Sequence, residues 1–353
     1  MINKNLKNLG PFSLNIEDKK IFFFDEIKKL TKYHYLKSSE YKKIIDFTNK
    51  NLFFNKIEDI PFLPIKLFKE YELLSVPKHK ILKTLSSSGT TGKKKSKIFL
   101  DSDNAISQQH TLSKILRSVI GNKRLPMLII DKNPNKISKS KISAKSAAIN
   151  GFSIFGRNHT YMLNDMEEID YLTLNNFLEK YSDNDFLIFG FTSIVYENLF
   201  SKIKSVKLKK DFRNGILIHG GGWKKMENIK VSSLEYKKRL LAKLNLKKIY
   251  NYYGLVEQTG SIFLECKFCN CLVTSNFSEV LIRDKYLNIV KNGQKGFIQV
   301  LSLLPSSYPG HSILTEDLGE IILDDKCGCS KYSTRFKVHG RLPQSEIRGC
   351  SNV

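Results

Sequence analysis

The chain begins with helix-like periodicity. Between Ile21 and Leu36, and again from Tyr41 to Phe47, apolar residues recur at roughly three-to-four spacing, which predicts two amphipathic helices with Ser38 and Ser39 as N-caps between them. The next stretch, IPFLPIKLFKEYELLSVPK from Ile60 to Lys78, interleaves prolines with large apolar side chains. Proline fixes φ and removes a backbone donor, so this reads as an extended segment lying against the core. From Pro126 onward short apolar runs alternate with helical patterns: MLII (Met127 to Ile130), FLIFGF (Phe186 to Phe191), GILIHG (Gly215 to Gly220), then Leu234 to Leu246 before KIYNYYG. Such alternation predicts parallel strands with crossover helices, an α/β fold. After Gly254 the runs become shorter and β-branched, as in FIQVLSL (Phe297 to Leu303) and GEIIL (Gly319 to Leu323), which suits antiparallel hairpins. No internal repeat or low-complexity linker occurs, so the change near residue 255 is expected to be a subdomain boundary.

Composition adds scale. With 353 residues, 41% of them hydrophobic, the chain can bury a sizeable core. No apolar run approaches the roughly 18 residues of a membrane span, and the start MINKNLKNLG lacks a signal peptide's apolar stretch, so a cytoplasmic protein without a membrane span is expected. The net charge of +24 would ordinarily suggest nucleic acid or an acidic partner. The lysines, however, are spread along the whole chain amid many Ile, Asn and Phe, and no RNA-binding or helix-turn-helix signature stands out. A general coding bias explains the charge, with an acidic carrier or an anionic substrate as the alternative, and nucleic acid is not an expected partner.

Candidate chemistry starts at LSSSGTTGKKKSK, Leu85 to Lys97. Glycines let backbone amides approach phosphate oxygens, hydroxyls donate further hydrogen bonds and lysines supply compensating charge. The GxxxxGK[ST] pattern of a Walker loop is absent, and by composition alone a flexible polar linker would look the same. The order Ser-Ser-Gly-Thr-Thr-Gly, followed by lysines and the β-like KIFLD, resembles the phosphate loop of the adenylate-forming superfamily of acyl-CoA synthetases, luciferases and peptide-synthetase adenylation domains. That resemblance assigns Ser87, Ser88, Gly89, Thr90, Thr91 and Gly92 to the phosphates of ATP.

Further segments follow in the order that superfamily requires. His219 to Lys224 reads HGGGWK after an apolar run, and Gly220, Gly221 and Gly222 would let adenine lie against the backbone; three consecutive glycines exceed the need of a tight turn. YNYYGLVEQ, Tyr250 to Gln258, resembles the superfamily's Tyr-Gly-x-Thr-Glu motif, with Val256 where threonine is common. The match gives Tyr253, before Gly254, an adenine-stacking role and Glu257 the Mg²⁺ that bridges ATP phosphates. TEDLG, Thr315 to Gly319, resembles the Thr-Gly-Asp segment, which makes Asp317 the acceptor for both ribose hydroxyls. Arg335 and the pair Gly340-Arg341 stand where the superfamily has its ribose- or phosphate-contacting arginine and its hinge.

Over nearly its whole length the chain resembles the acyl-protein synthetases of the bioluminescence type, through IPFLPIKLFK, LLSVP, SSSGTTG, GGGWKK, YGLVEQ, SYPGHSILTEDLG and GR...EIRGC. The resemblance implies an α/β adenylate-forming large N-terminal domain, with parallel-rich sheets, helices and a smaller antiparallel β subdomain, and a C-terminal small domain absent or vestigial. The expected organisation is a helical region over 1–80, the adenylate-forming core over 81–340 and a hinge and tail over 341–353. It further implies activation of a fatty acid by ATP and Mg²⁺, acyl transfer from AMP to Cys350, and delivery to an acyl reductase subunit or acyl carrier protein. A thiol beside Arg348 could be partly ionised. Without the usual C-terminal lysine, Lys95, Lys97 and Lys224 are the candidates to meet the charge at the α-phosphate. The alternatives are a ligase delivering to coenzyme A or a carrier, similar to phenylacetate-CoA ligases, and a noncatalytic nucleotide-binding docking subunit. Finally, Cys266, Cys269 and Cys271 in ECKFCNC and Cys327 and Cys329 in KCGCS offer four ligands for a structural zinc, or are unliganded small apolar residues in hairpins.

Overall fold

The computed structural model describes residues 6–48, 52–87, 94–133, 144–223, 231–323 and 327–341. They divide into two compact units, one built from residues 116–253, the other from residues up to 115 together with 254–341.

In the first unit the strands Gly156–Leu163, Leu125–Lys132, Phe186–Phe191, Gly215–Gly220 and Lys248–Tyr253 lie side by side in that order, all parallel. The middle strands are apolar except towards their carboxyl ends because both faces are covered, as crossover helices require. Leu128, Ile130, Phe186, Ile188 and Leu217 pack on the helices Tyr171–Tyr181, through Leu174, Phe177 and Leu178, and Ser233–Leu244, through Tyr236, Leu240 and Leu244. Each such buried side chain stabilises the unit by about 1.5–3 kcal/mol. Asp170 and Ser232 cap these helices by accepting from the amides of Thr173 and Glu235. The edge strand Gly156–Leu163 was not foreseen, since GRNHTYM lacks an apolar run.

The second unit carries the antiparallel strands Ser278–Arg283, Gly296–Ser302, Ser312–Ile321, Arg335–Arg341, Leu272–Val273 and Phe263–Glu265, paired in that order. Of GEIIL only Gly319 to Ile321 is strand, the end of a longer one, Ser312–Ile321, which takes in the TEDLG motif. The helices Ile16–Lys37 and Ser39–Phe47 pack on this sheet, where Phe23, Ile27 and Leu30 meet Phe277, Leu301 and Leu303. Ser38 is the N-cap, accepting from the Tyr41 amide at 3.3 Å, and Ser39 is the first helical residue. The proline-rich segment is buried at Ile60, Phe62, Leu63 and Ile65, and Leu63–Pro64 pairs in parallel with Ile313 and Leu314. It is extended only in part, because a helical turn at Leu67–Glu70 follows. Ile81–Ser86 and Lys97–Asp101 form a separate antiparallel pair.

Candidate active site

In a parallel sheet, ligands bind beyond the carboxyl ends of the strands, where connecting loops leave a crevice. In the parallel unit those ends carry the motif residues. Gly220 closes one strand directly opposite Tyr252, one residue before Tyr253 closes the next. Each glycine of the triplet has its own local cause. A Cβ on Gly220 would come within 2.6 Å of the Tyr252 ring, and Gly221 and Gly222 have φ of 87° and 72°. Trp223 turns inward, 4.9 Å from the Tyr196 ring and 5.7 Å from that of Tyr236.

Motif reading passed over other polar groups at these same strand ends. Thr192, just after Phe186–Phe191, donates to the Gly220 carbonyl at 3.1 Å and so accepts from Nδ1 of His219 at 3.0 Å. His219 is buried, and burial together with the nearby Lys237 charge lowers its pKa to about 3. Its ring is therefore neutral, with a bare Nε2 that meets no hydrogen-bond partner among the described residues. Asp131, at the end of Leu125–Lys132, takes a salt bridge from Lys145 at 2.8 Å. Burial raises the Asp131 pKa while Lys145 opposes the rise. The signal for both was an apolar run ending in a polar residue, IID and FGFT, which is too common to single out.

In the antiparallel unit, Asp317 and Arg341 are brought together. They are register partners on neighbouring strands, with Arg341 Nε 3.0 Å from Asp317 Oδ1. Thr315 orients the segment: its hydroxyl donates to the Ile298 carbonyl at 2.7 Å and accepts from the Asp317 amide at 3.1 Å. Arg335 is on the same strand as Arg341 but opposite Val273, roughly 20 Å away along the chain at strand rise, and not beside Asp317. Glu257 is buried in a short 3-10 turn, Val256–Gln258. Its carbonyl accepts from the Tyr308 hydroxyl at 2.9 Å, and Gln258 donates to the carbonyls of Val300 and Gly310 at 3.0 and 2.8 Å. The SYPGH segment thus fixes the turn that carries Glu257, a role its sequence did not disclose.

Ser87 and Ser96 close the neck of the glycine and hydroxyl loop: the Ser87 amide donates to the Ser96 carbonyl, and the Ser96 amide to the Ser87 hydroxyl, both at 3.0 Å. Lys95 and Lys97 are exposed beside that neck. Gly254 begins the antiparallel unit. Ser88, Gly89, Thr90, Thr91, Gly92, Lys224 and Cys350 lie outside the described residues. Cys266, Cys269, Cys327 and Cys329 converge, whereas Cys271 turns its thiol to the Cys269 carbonyl.

The family model for the acyl-protein synthetase LuxE matches residues 2–353. The chain belongs to that family. An acyl-protein synthetase of this kind has a curated relative in the long-chain-fatty-acid–luciferin-component ligase of Aliivibrio fischeri, 24% identical over 323 residues that span 88% of this chain and 82% of the relative. Among solved structures it is similar to 2-hydroxyisobutyryl-CoA ligase in an open conformation with 2-HIB-AMP and CoA, at TM-score 0.70 and 13% identity over 94% of this chain and 77% of that one. The same ligase in the postadenylation state also gives TM-score 0.70, at 14% identity over 94% and 69%. The fold is that of the adenylate-forming ligases, as the sequence motifs implied. This acyl-protein synthetase is an ATP-dependent, AMP-forming acyl ligase that activates a carboxylic acid as its acyl-AMP. Among the described residues no helix is long and apolar enough to cross a membrane.

Proposed function

We propose that this chain activates a fatty acid, passes the acyl group from AMP to its own Cys350, and delivers it from there to an acyl reductase subunit or acyl carrier protein. The observation that carries the nucleotide part is the Asp317–Arg341 pair, 3.0 Å apart and set by Thr315. A carboxylate can accept from two adjacent hydroxyls at once, which is what a ribose presents. Gly220, Gly221, Gly222 and Tyr253 receive adenine in this reading, and the loop Ser87 to Gly92 receives the phosphates.

Mg²⁺ suits Glu257, a buried carboxylate whose turn is fixed by Tyr308 and Gln258, because a hard cation takes one carboxylate plus phosphate and water oxygens. When bound it would neutralise charge on the polyphosphate. Lys95 and Lys224 stand as the groups that meet charge at the α-phosphate. In the first step a carboxylate oxygen bonds to the α-phosphorus as its bond to pyrophosphate breaks. In the second, the Cys350 thiolate bonds to the acyl carbon as the bond to AMP breaks, the thiol proton having gone to solvent. The A. fischeri relative is named for a long-chain fatty acid, which supports that class of substrate.

The test combines intact mass with pyrophosphate release, for wild type and Cys350→Ala, across carboxylic acids from acetate to palmitate. An acyl mass on wild type that the variant lacks, with pyrophosphate still formed, is the expected result. Pyrophosphate without an acyl mass on wild type would redirect the reading to an external thiol, as in the coenzyme A ligases. No pyrophosphate with any acid would leave only nucleotide binding or docking.

A further inference from the structure

ECKFCNC turns the chain between Phe263–Glu265 and Leu272–Val273, and Cys327 precedes the 3-10 turn Gly328–Lys331, which carries Cys329 and leads into Arg335–Arg341. The first turn is tight. The Cys266 amide donates to the Cys271 carbonyl at 2.8 Å, the Asn270 amide donates to the Cys266 carbonyl at 3.0 Å, and Asn270 is left-handed at φ 55°.

These two turns bring four sulfurs together from positions about sixty residues apart. Cys266 Sγ lies 3.7 Å from Cys327 Sγ, Cys269 Sγ 3.7 Å from Cys329 Sγ, and Cys327 Sγ 3.1 Å from Cys329 Sγ, with all four inside 4.8 Å of one another. Sulfurs placed tetrahedrally at about 2.3 Å from one ion are separated by about 3.8 Å. Two of the separations match that edge. All four thiols are free and none of their sulfurs is committed to a disulfide.

The second turn is closed as well, the Ser330 amide donating to the Cys327 carbonyl at 3.0 Å and the Tyr332 amide to the Cys329 carbonyl at 3.1 Å, so the backbone of both turns holds the sulfurs in place. Cys271 is set apart, buried with its thiol on a backbone carbonyl.

We propose that Cys266, Cys269, Cys327 and Cys329 bind one structural zinc ion and that Cys271 is a core side chain. Four sulfurs fill the coordination sphere, so the ion has no open position for substrate. Its work is to tie the 266–271 turn to the start of the Arg335–Arg341 strand, whose far end presents Arg341 to Asp317. The assignment of the metal does not rest on the ligase reading.

The experiment is native mass spectrometry and elemental analysis of full-length protein purified under reducing conditions, for wild type, Cys269→Ser, Cys327→Ser and Cys271→Ser. Wild type and Cys271→Ser should each carry one zinc per chain, lost on denaturation with chelator, while the other two variants carry little or none. Thiol alkylation followed by mass gives a second reading on wild type alone, with four fewer thiols labelled before chelation than after it. Iron in place of zinc, metal-free wild type after zinc is supplied, an unchanged alkylation count, or loss of zinc from Cys271→Ser would each overturn the assignment.

Discussion

In the unit built on Leu125–Lys132, Phe186–Phe191 and Gly215–Gly220, the interior is aliphatic and aromatic, with Phe177, Phe186, Phe212, Tyr196 and Trp223 filling the space under the helices. In the unit built on Ser278–Arg283, Gly296–Ser302 and Ser312–Ile321, the interior is threaded with polar ties. Lys19, 1% exposed, reaches Glu279 at 2.9 Å and Thr274 at 2.5 Å. His34 meets Ser75 at 2.7 Å and the Pro305 carbonyl at 3.0 Å, and stacks on His311 at 4.7 Å. Asn104 donates to the Leu304 carbonyl at 2.6 Å and accepts from Ser307 at 2.9 Å. The parallel unit keeps its buried polar pairs, Thr192 with His219 and Asp131 with Lys145, at the carboxyl ends of its strands, whereas an antiparallel sheet joined to distant segments uses such groups to fix which segment goes where. The contrast separates adhesion that is non-directional from adhesion that specifies partners.

The largest expected effect comes from breaking the deepest tie. Burial pushes the Lys19 ammonium towards neutrality and Glu279 holds it charged. Glu279→Ala strands that ammonium, and urea unfolding should show a loss of about 3–5 kcal/mol. Replacing both partners at once, Lys19→Met with Glu279→Leu, should recover most of it, because the pair's own desolvation cost disappears too. If the double variant is as unstable as the single one, the tie contributes stability and not only specificity.

Acid sharpens the same comparison. Burial lowers the pKa of His34 to about 3 and, with His34 beside it, takes His311 well below its usual value. Both rings are neutral when folded, so the unfolded chain binds more protons below about pH 6.5. Stability is complete above that pH and falls as pH drops towards 3, by about 1.4 kcal/mol per unit for each ring. The antiparallel unit has this pair, and the parallel unit has His219 with a pKa of about 3. Hydrogen exchange at pH 7 and pH 5 should therefore show protection falling further at Ser312–Ile321 than at Phe186–Phe191. Equal losses would mean that the pair is not what titrates.

How legible each half was follows from the same physics. FLIFGF and GILIHG were read as strands with their observed limits, since a strand buried on both faces must be a continuous apolar run. GRNHTYML was missed because an edge strand need not be apolar. The helix Ser102–Ile120, started by Asp101 accepting from the Asn104 amide at 2.9 Å, went unread in a polar stretch. In the antiparallel unit the motif Thr315 to Gly319 was recognised, yet its register with Arg341 was not. Nothing local in TEDLG or HGR says that they pair; the bulge at Leu318 and Gly319 sets that register. The same limit hid Tyr308 from Glu257, and it left open which cysteines converge.

One feature is common to both units and gives the finest comparison. Asn164–Glu168 and Asp284–Asn288 form the same turn. In each, the first side chain accepts from the amides two and four residues on, Met166 and Glu168 in one, Tyr286 and Asn288 in the other. In each, the fourth residue is left-handed, Glu167 at φ 64° and Leu287 at φ 72°. That region costs a residue with a Cβ roughly 1–2 kcal/mol, less for asparagine, whose short polar side chain tolerates it. Leu287 is 41% exposed, so Leu287→Asn gives up more than half of that side chain's burial, about 1 kcal/mol or more, against the backbone relief, and should leave unfolding stability within about 1 kcal/mol of wild type. Glu167→Asn relieves the same backbone but removes the salt bridge to Lys132 at 2.9 Å, a partly exposed contact of about 0–1 kcal/mol. Its stability should rise relative to wild type at high salt, where the lost pair matters least. A Glu167→Asn stability that does not move relative to wild type with salt would show that the Lys132 pair contributes nothing.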